Sequence, residues 1–441
     1  MNQIKPALTL TEVIVLSIVG VILIVTFLLP PIVGLADNGD FYKMMSKFGL
    51  EHGAQTREDR YFGFVDPIYL ADPQGSANYQ KVWGKTLISS EIIFVAAAVW
   101  LNNLIHSGDV FHIQFLGMVH IAGFLVGALL LLAGTRDANP LKRTIGIILS
   151  IVMFVDVGYT SYFNSAYTET ASLLFLMLLI GAALPAVYKG SLAPVRILLY
   201  FLFSFLFCCS RYPNAVMYPF LALFGILVAI HSRRLFAGLI AAIATIAGSL
   251  LLLAFIRSAP PEYTEFSLYN HFFNALLPFS PEPIQDLKEF RLDPSLQKYS
   301  GTTYFQLRSA VYDAEAYRAI RREVNPQSIM RFYMRHPKRV WQAMIRAASQ
   351  GLHIRPGYGN YEKKAGNPPG EVSQGFAIWS SYRELLIPKS LGMVAMVLFT
   401  CGVISFWPRK SLCESSFRFL LVLICALQFV MISCTSDPSD I

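Results

Sequence analysis

Residues 13–29 (VIVLSIVGVILIVTFLL) form an unbroken apolar run, and comparable runs recur down the chain. A run of this length approaches the thickness of a bilayer's hydrocarbon core. A backbone placed there meets no water and must satisfy its own hydrogen bonds, which a helix does within one segment. The alternating segments of about ten residues that mark a membrane barrel do not occur in the sequence. Composition agrees: 54% of the 441 residues are hydrophobic, 15% are charged, and the mean hydropathy is +0.49. Soluble domains carry closer to a quarter charged residues. The expected fold class is an all-α polytopic membrane protein.

The first run follows Lys5, as a secretory signal would, but it is longer than a typical signal core and has no A-x-A-like cleavage site. It runs instead into Pro30-Pro31, so a retained first span is expected. Short-loop cations then set the crossing count. Lys5, the Arg136/Lys142/Arg143 group, Lys189 with Arg196, Arg233-Arg234 and Arg409-Lys410 all face the cytoplasm if nine spans lie near 11–33, 113–134, 144–158, 169–188, 195–209, 214–231, 235–256, 388–407 and 416–434. This satisfies the positive-inside rule with a cytoplasmic N-terminus, as expected in a cell inner (plasma) membrane. Residues 86–106 (TLISSEIIFVAAAVWLNNLIH) are apolar enough to be a tenth span, but a crossing there would put the Arg136–Arg143 group outside. They are therefore read as a juxtamembrane helix. The alternative is an ordinary span with a polar hairpin at Asn102–Gly108.

Three regions follow: an N-terminal membrane core (1–256) that includes a first outer loop (34–112), an outer region (257–387) and C-terminal membrane helices (388–441). In the outer region, Ser309–Arg322 and Pro326–Ala348 show helical spacing of apolar residues. The second stretch carries Arg331, Arg335, Lys338, Arg339, Arg346 and Trp341, a composition that fits a helix lying on lipid. The net charge of +8 is largely topological, so nucleic acid is not an expected partner; membrane lipid is. The six cysteines stand outside the long polar segments, so no disulfide framework is expected.

Three constellations hold the chemistry. Directly after the first span comes Asp37-Asn38-Gly39-Asp40, with Asp66 and Asp72 further along the same loop. Asn-Gly favours a turn and Asp40 is placed to cap a helix over Phe41–Phe48. The functional reading is a pair of carboxylates at the membrane surface, one of them a general base. The turn Tyr159–Glu169 (YTSYFNSAYTE), with Asp156 before it, offers a second acidic cluster, plus Tyr162, Asn164 and Tyr167 for a hydroxyl-rich ligand. The plain reading is that these groups reach interfacial water. Arg211, flanked by apolar runs, stands on the outer side against the charge rule. It fits a phosphate site or contact with lipid headgroups, as do Arg257, His271 and Arg355 more weakly. A Walker loop, H-E-x-x-H, a Cys/His metal spacing and G-x-S-x-G are all missing from the sequence, which argues against an ATP-driven pump, a zinc protease and a serine hydrolase.

The acidic pair beyond the first span and the long outer loop ending in VFHIQFLG (110–117) resemble the GT-C superfamily of membrane glycosyltransferases. The segments ADNGDF, YFNSAYTE, FYMRHPKR (332–339) and GNYEKKAGNPPG…FAIWSSYR (359–383) are similar to the bacterial glycan-biosynthesis hexose transferases of that superfamily. The resemblance implies a polyprenyl-phosphate-linked sugar donor, a glycan or lipid-linked acceptor, and Asp40 or Asp37 as base, with Asp40 favoured. It implies Arg211, with Arg257 or Arg355, beside the leaving phosphate, and Asp156 and Glu169 on the acceptor or on a divalent cation (Mg or Mn). Asn38, Asn164, Tyr167, Tyr358 and Tyr361 would complete the substrate site, with Trp379 as a further aromatic. The superfamily usually continues into further spans, so the end at Ile441 implies a shortened form or a fragment. Two other activities suit a chain of this kind. One is a transporter or flippase for a lipid-linked glycan; the other is an O-antigen-type glycan ligase or polymerase.

Overall fold

The computed structural model describes residues 8–52, 59–65, 67–69, 87–350, 357–406 and 412–435. Helix α1 (Leu10–Phe27) opens on Thr9, which forms a capping box with Glu12, and ends at Leu28. A short helix α2 (Tyr42–Met45) follows, then a two-stranded antiparallel ribbon pairing Leu50 with Tyr69 and Glu51 with Ile68. Next come α3 (Ile92–Ile105), α4 (Gln114–Gly134), α5 (Pro140–Phe154), α6 (Val157–Thr160), α7 (Glu169–Lys189), α8 (Pro194–Cys208), α9 (Tyr218–His231) and α10 (Leu235–Arg257). Residues 257–387, the region expected outside, hold α11 (Pro261–Asn270), α12 (Pro283–Glu289), α13 (Ala314–Glu323), α14 (Pro326–Arg335) and α15 (Pro337–Gln350). Helices α16 (Ile378–Leu386), α17 (Leu391–Phe406) and α18 (Leu412–Thr435) close the chain.

Among the described residues, five helical segments are long and apolar enough to cross a bilayer: α1, α4, α7, Tyr212–His231 (which includes α9) and α10. Counting α5 with α6 and α16 with α17 as bent spans makes seven. The count of nine expected from sequence adds the 15-residue α8 and also α18. Large apolar side chains face outward along α10 (Leu239, Ile243, Ile246, Leu250, Leu253), a helical stripe suited to lipid. Inside, small residues bring backbones together. A Cβ on Gly181 of α7 would sit 2.7 Å from Leu130 Cβ of α4, and one on Gly134 would sit 2.8 Å from Leu184 Cβ. In lipid, where apolar transfer drives little association, such close packing is what holds helices together.

One end of the bundle is knotted by charge. Glu12, fully buried, accepts from Arg136 Nε at 2.7 Å and from Arg143 at 3.1 Å, joining the start of α1 to the end of α4 and the start of α5. Lys189 pairs with Asp137 at 3.1 Å at the same end. Helix α3 does not run the length of the bundle. Glu91, at its start, meets His120, and His106, at its end, lies on His112 with ring centroids 4.4 Å apart. His120 lies in the second turn of α4, so both ends of α3 contact the beginning of α4 or the residues just before it.

The outer region has its own core, built on Tyr269, Phe272, Phe273, Leu287, Phe290 and Phe332. The expected helix at Ser309–Arg322 is split: a turn at Ala310–Tyr312 precedes α13, because Asp313 leaves helical geometry to cap it through Ala316 N (3.1 Å). The expected helix at 326–348 breaks at Pro337, which lacks an N–H and excludes helical geometry at His336 before it. Of its cations, Arg339 turns inward to both Asp286 oxygens (3.0 and 3.1 Å) and Arg346 to the Ala275 carbonyl (3.1 Å). Those two serve the region's own packing, while Arg331, Arg335 and Lys338 remain exposed.

Candidate functional site

The end of the bundle opposite Glu12 is laced around residues 28–41. Val33 pairs with Tyr361, while Gly34 N and Ala36 N donate to the carbonyls of Asn360 and Gly359 at 3.0 Å each. Ile32 N donates to Glu362 at 3.0 Å. On the other flank, Ser165 Oγ takes Leu35 N at 2.7 Å, and the Tyr167 hydroxyl donates to the Ala36 carbonyl at 2.8 Å. Three segments far apart in sequence, ADNGDF, YFNSAYTE and GNYEKK, thus form one structure.

Within it, two neighbouring aspartates have different surroundings. Asp37 Oδ1 accepts from Gly39 N (2.7 Å) and Phe41 N (3.0 Å), and Oδ2 lies 2.9 Å from His52 Nε2. Asp37, not Asp40, therefore holds the turn and the start of α2, because its side chain reaches forward across the Asn-Gly turn. Asp40 points outward, 42% exposed, with Lys43 Nζ at 2.6 Å one helical turn on. Glu169, the first residue of α7, pairs with Arg211 at 3.2 Å.

These two ion pairs adjoin. Burial pushes the Lys43 ammonium down, but Asp40, the Tyr263 phenol and Glu169 outweigh it and hold it above the ordinary lysine range. Glu169 does most to raise Arg211, with Tyr263 and Asp40 adding to it. Lys43 also lies 5.9 Å from the Tyr263 ring centre. Asn38 N donates to the Tyr167 hydroxyl at 3.0 Å, and Asn38 Nδ2 reaches Tyr358 at 3.5 Å. Burial, then Asp37, drives the Tyr167 phenol well above its ordinary value, so it stays a neutral hydrogen-bond donor.

Residues 1–436 match the model of the YfdI N-terminal transmembrane domain. The chain belongs to that family. No curated protein and no solved structure matches it. For this YfdI-type domain, the comparison and the apolar helices together establish a multi-pass membrane protein.

Several residues singled out from sequence lie elsewhere. Asp156 is fully buried, with Oδ1 on Gly158 N (2.8 Å) and Oδ2 on Ser380 N (2.9 Å), so it caps α6 and ties it to the start of α16. It does not face the Asp40 cluster. Asn164 is equally buried and donates to the carbonyls of Phe27 and Val33 at 2.7 Å each, covering the backbone where α1 stops. Arg257 is exposed at the end of α10, and no contact among the described residues joins it to Asp40, Glu169 or Arg211. Tyr361 supports the wall through its backbone, and Trp379 donates to the Tyr159 hydroxyl at 3.4 Å, beside Asp156. His271 lies in the outer core, 2.9 Å from the Tyr333 hydroxyl. Arg355, Asp66 and Asp72 lie outside the described residues.

Lys43 and Tyr263 escaped the sequence reading. Lys43 carried a signal, standing three residues after Asp40 on a helix. Tyr263 carried none, since folding alone brings it from the outer region. Among the described residues no three His, Cys, Asp or Glu side chains converge, and Asp40 and Glu169 each already face a cation. These residues do not fit a divalent ion.

Proposed function

We propose that this chain is a membrane glycosyltransferase that moves a hexose from a polyprenyl-phosphate carrier to a glycan or lipid-linked acceptor. One observation carries the reading: the Asp40–Lys43 and Glu169–Arg211 pairs adjoin at one end of an apolar bundle, where an acceptor from water and a carrier from lipid can both arrive.

In the reaction, Asp40 takes the proton of an acceptor hydroxyl as its oxygen bonds to the anomeric carbon. The bond from that carbon to the phosphate oxygen breaks, and the electron pair leaves with the polyprenyl phosphate. That leaving group is already a stable anion, so fixed positive charge suffices in place of a strong acid. Arg211 and Lys43 supply it, and the incoming phosphate displaces their carboxylate partners, freeing Asp40 to act. Asn38, Tyr167 and Tyr358 line the acceptor side. A single displacement of this kind inverts the anomeric carbon. The cluster sits at helix ends, unlike the midplane sites of transporters built on broken helices. With Arg136, Arg143 and Lys189 gathered at the opposite end, the positive-inside rule turns the site to the outer face of the plasma membrane.

The test is transfer from labelled polyprenyl-phosphate hexoses in membranes carrying the chain. Asp40→Asn lowers kcat by about 10²–10⁴-fold, the range for loss of a general base, with membrane insertion intact. Full transfer by Asp40→Asn would show that the base has been misassigned.

A further inference from the structure

Below the site lies a second ionisable pair, which the mechanism above does not use. Glu91 and His120 are both fully buried, with Oε1 and Nε2 2.8 Å apart. His120 Nδ1 is 2.8 Å from the Phe163 carbonyl and must carry its hydrogen there. The other ring nitrogen then shares a single proton with Glu91. The second carboxylate oxygen, Oε2, accepts from Ala171 N at 3.0 Å, in the first turn of the helix that begins at Glu169. The two residues before Glu91 hold the opposite wall: Ser89 Oγ donates to the Ser210 carbonyl at 2.6 Å, and Ser90 N to the Cys209 carbonyl at 3.0 Å.

Three consecutive residues therefore grip the backbone two residues after Glu169 and one and two residues before Arg211. An apolar residue at 91 would pack α3 against its neighbours, and a buried carboxylate costs several kcal/mol when its partners fail. What the carboxylate adds is direction, because it ties His120 of α4 to Ala171 of α7, while Ser89 and Ser90 just before it hold the Arg211 side, beside a direct contact of the Ser172 and Ser210 hydroxyls at 2.7 Å.

We propose that Glu91, held by His120, is a positioning residue that sets the separation of Glu169 and Arg211. Its catalytic consequence rests on the transferase reading, whereas its geometric consequence does not. The test places Glu169→Cys and Arg211→Cys in a chain whose native cysteines are replaced by alanine, and follows bridging by a short bifunctional thiol reagent in membranes. Native Glu91 and Glu91→Gln bridge at similar rates, since glutamine keeps an acceptor for Ala171 N; Glu91→Ala bridges several-fold more slowly. Equal rates for native Glu91 and Glu91→Ala would overturn the proposal. Should Glu91→Ala fail to accumulate, Ser89→Ala, which removes the hydroxyl contact to Ser210 and the acceptor for Glu91 N, is measured instead, and an unchanged rate there also overturns it.

In the transfer assay, with Glu169 and Arg211 intact, Glu91→Ala lowers kcat by as much as about 100-fold, the scale of a misplacement near 1 Å. Glu91→Gln restores most of it. A chain that transfers no sugar yet shows the bridging pattern counts against the transferase reading and in favour of the positioning role.

Discussion

Asp37 and Asp40 are three residues apart, and their partners give them different work. Asp37 spends both oxygens on Gly39 N, Phe41 N and His52, as a cap does. Asp37→Ala is expected to cost about 0.5–2 kcal/mol of stability, the usual loss of a cap, seen as a lower thermal midpoint in detergent. Asp40→Asn moves the midpoint less than Asp37→Ala does, because Asp40 is 42% exposed and asparagine keeps an oxygen acceptor for the Lys43 ammonium. Asn164 makes a sharper case: Asn164→Ala strips the buried Phe27 and Val33 carbonyls of their donor, at about 1–3 kcal/mol for an unsatisfied group. From sequence, Asn164 and Asp156 resembled ligand groups because polar residues near span ends suit either role. Their partners are backbone atoms, which sequence does not display.

Among elements, the α4–α7 contact depends on missing side chains. Gly181→Val puts a branched group where Leu130 Cβ and the Leu130–Leu131 backbone lie within 3.0 Å of any Cβ. Overpacking of this kind costs typically about 1–3 kcal/mol, and the variant is expected to yield less protein in the membrane than Gly181→Ala. In the outer region, burial and then Arg346 hold His271 down from 6.5 to about 4. The folded state therefore resists a proton that the unfolded chain accepts below about 6.5. Stability from this group is fully present above that pH and is lost as pH falls toward 4. Thermal midpoints over this range show a slope that His271→Gln removes; an unchanged slope would assign it to other groups. Helix existence is readable in this region from apolar spacing, but spacing does not register the breaks, which the Asp313 cap and the Pro337 ring impose on the backbone.

Across the whole molecule, the site depends on the chain returning after the outer region to pair with its own first loop. Asn360 donates to the Gly34 carbonyl at 2.7 Å and also receives Ser373 N through Oδ1 at 3.0 Å. Asn360→Ala is expected to reduce transfer and thermal stability together, whereas Asp40→Asn reduces transfer only; a stable, inactive Asn360→Ala would place Asn360 nearer the chemistry than a wall residue. Sequence by itself determined the all-α membrane class, since bilayer-length apolar runs leave a backbone no other way to satisfy its hydrogen bonds. It also located the segments that carry polar chemistry, because ionisable residues stand out in an apolar chain. Only the tertiary structure decided which of them meet. It brought Lys43 and Tyr263 to Asp40, Glu169 and Arg211, and it sent Asp156 and Asn164 to the backbone. Packing between distant segments makes that choice, and residue spacing records no distance between them.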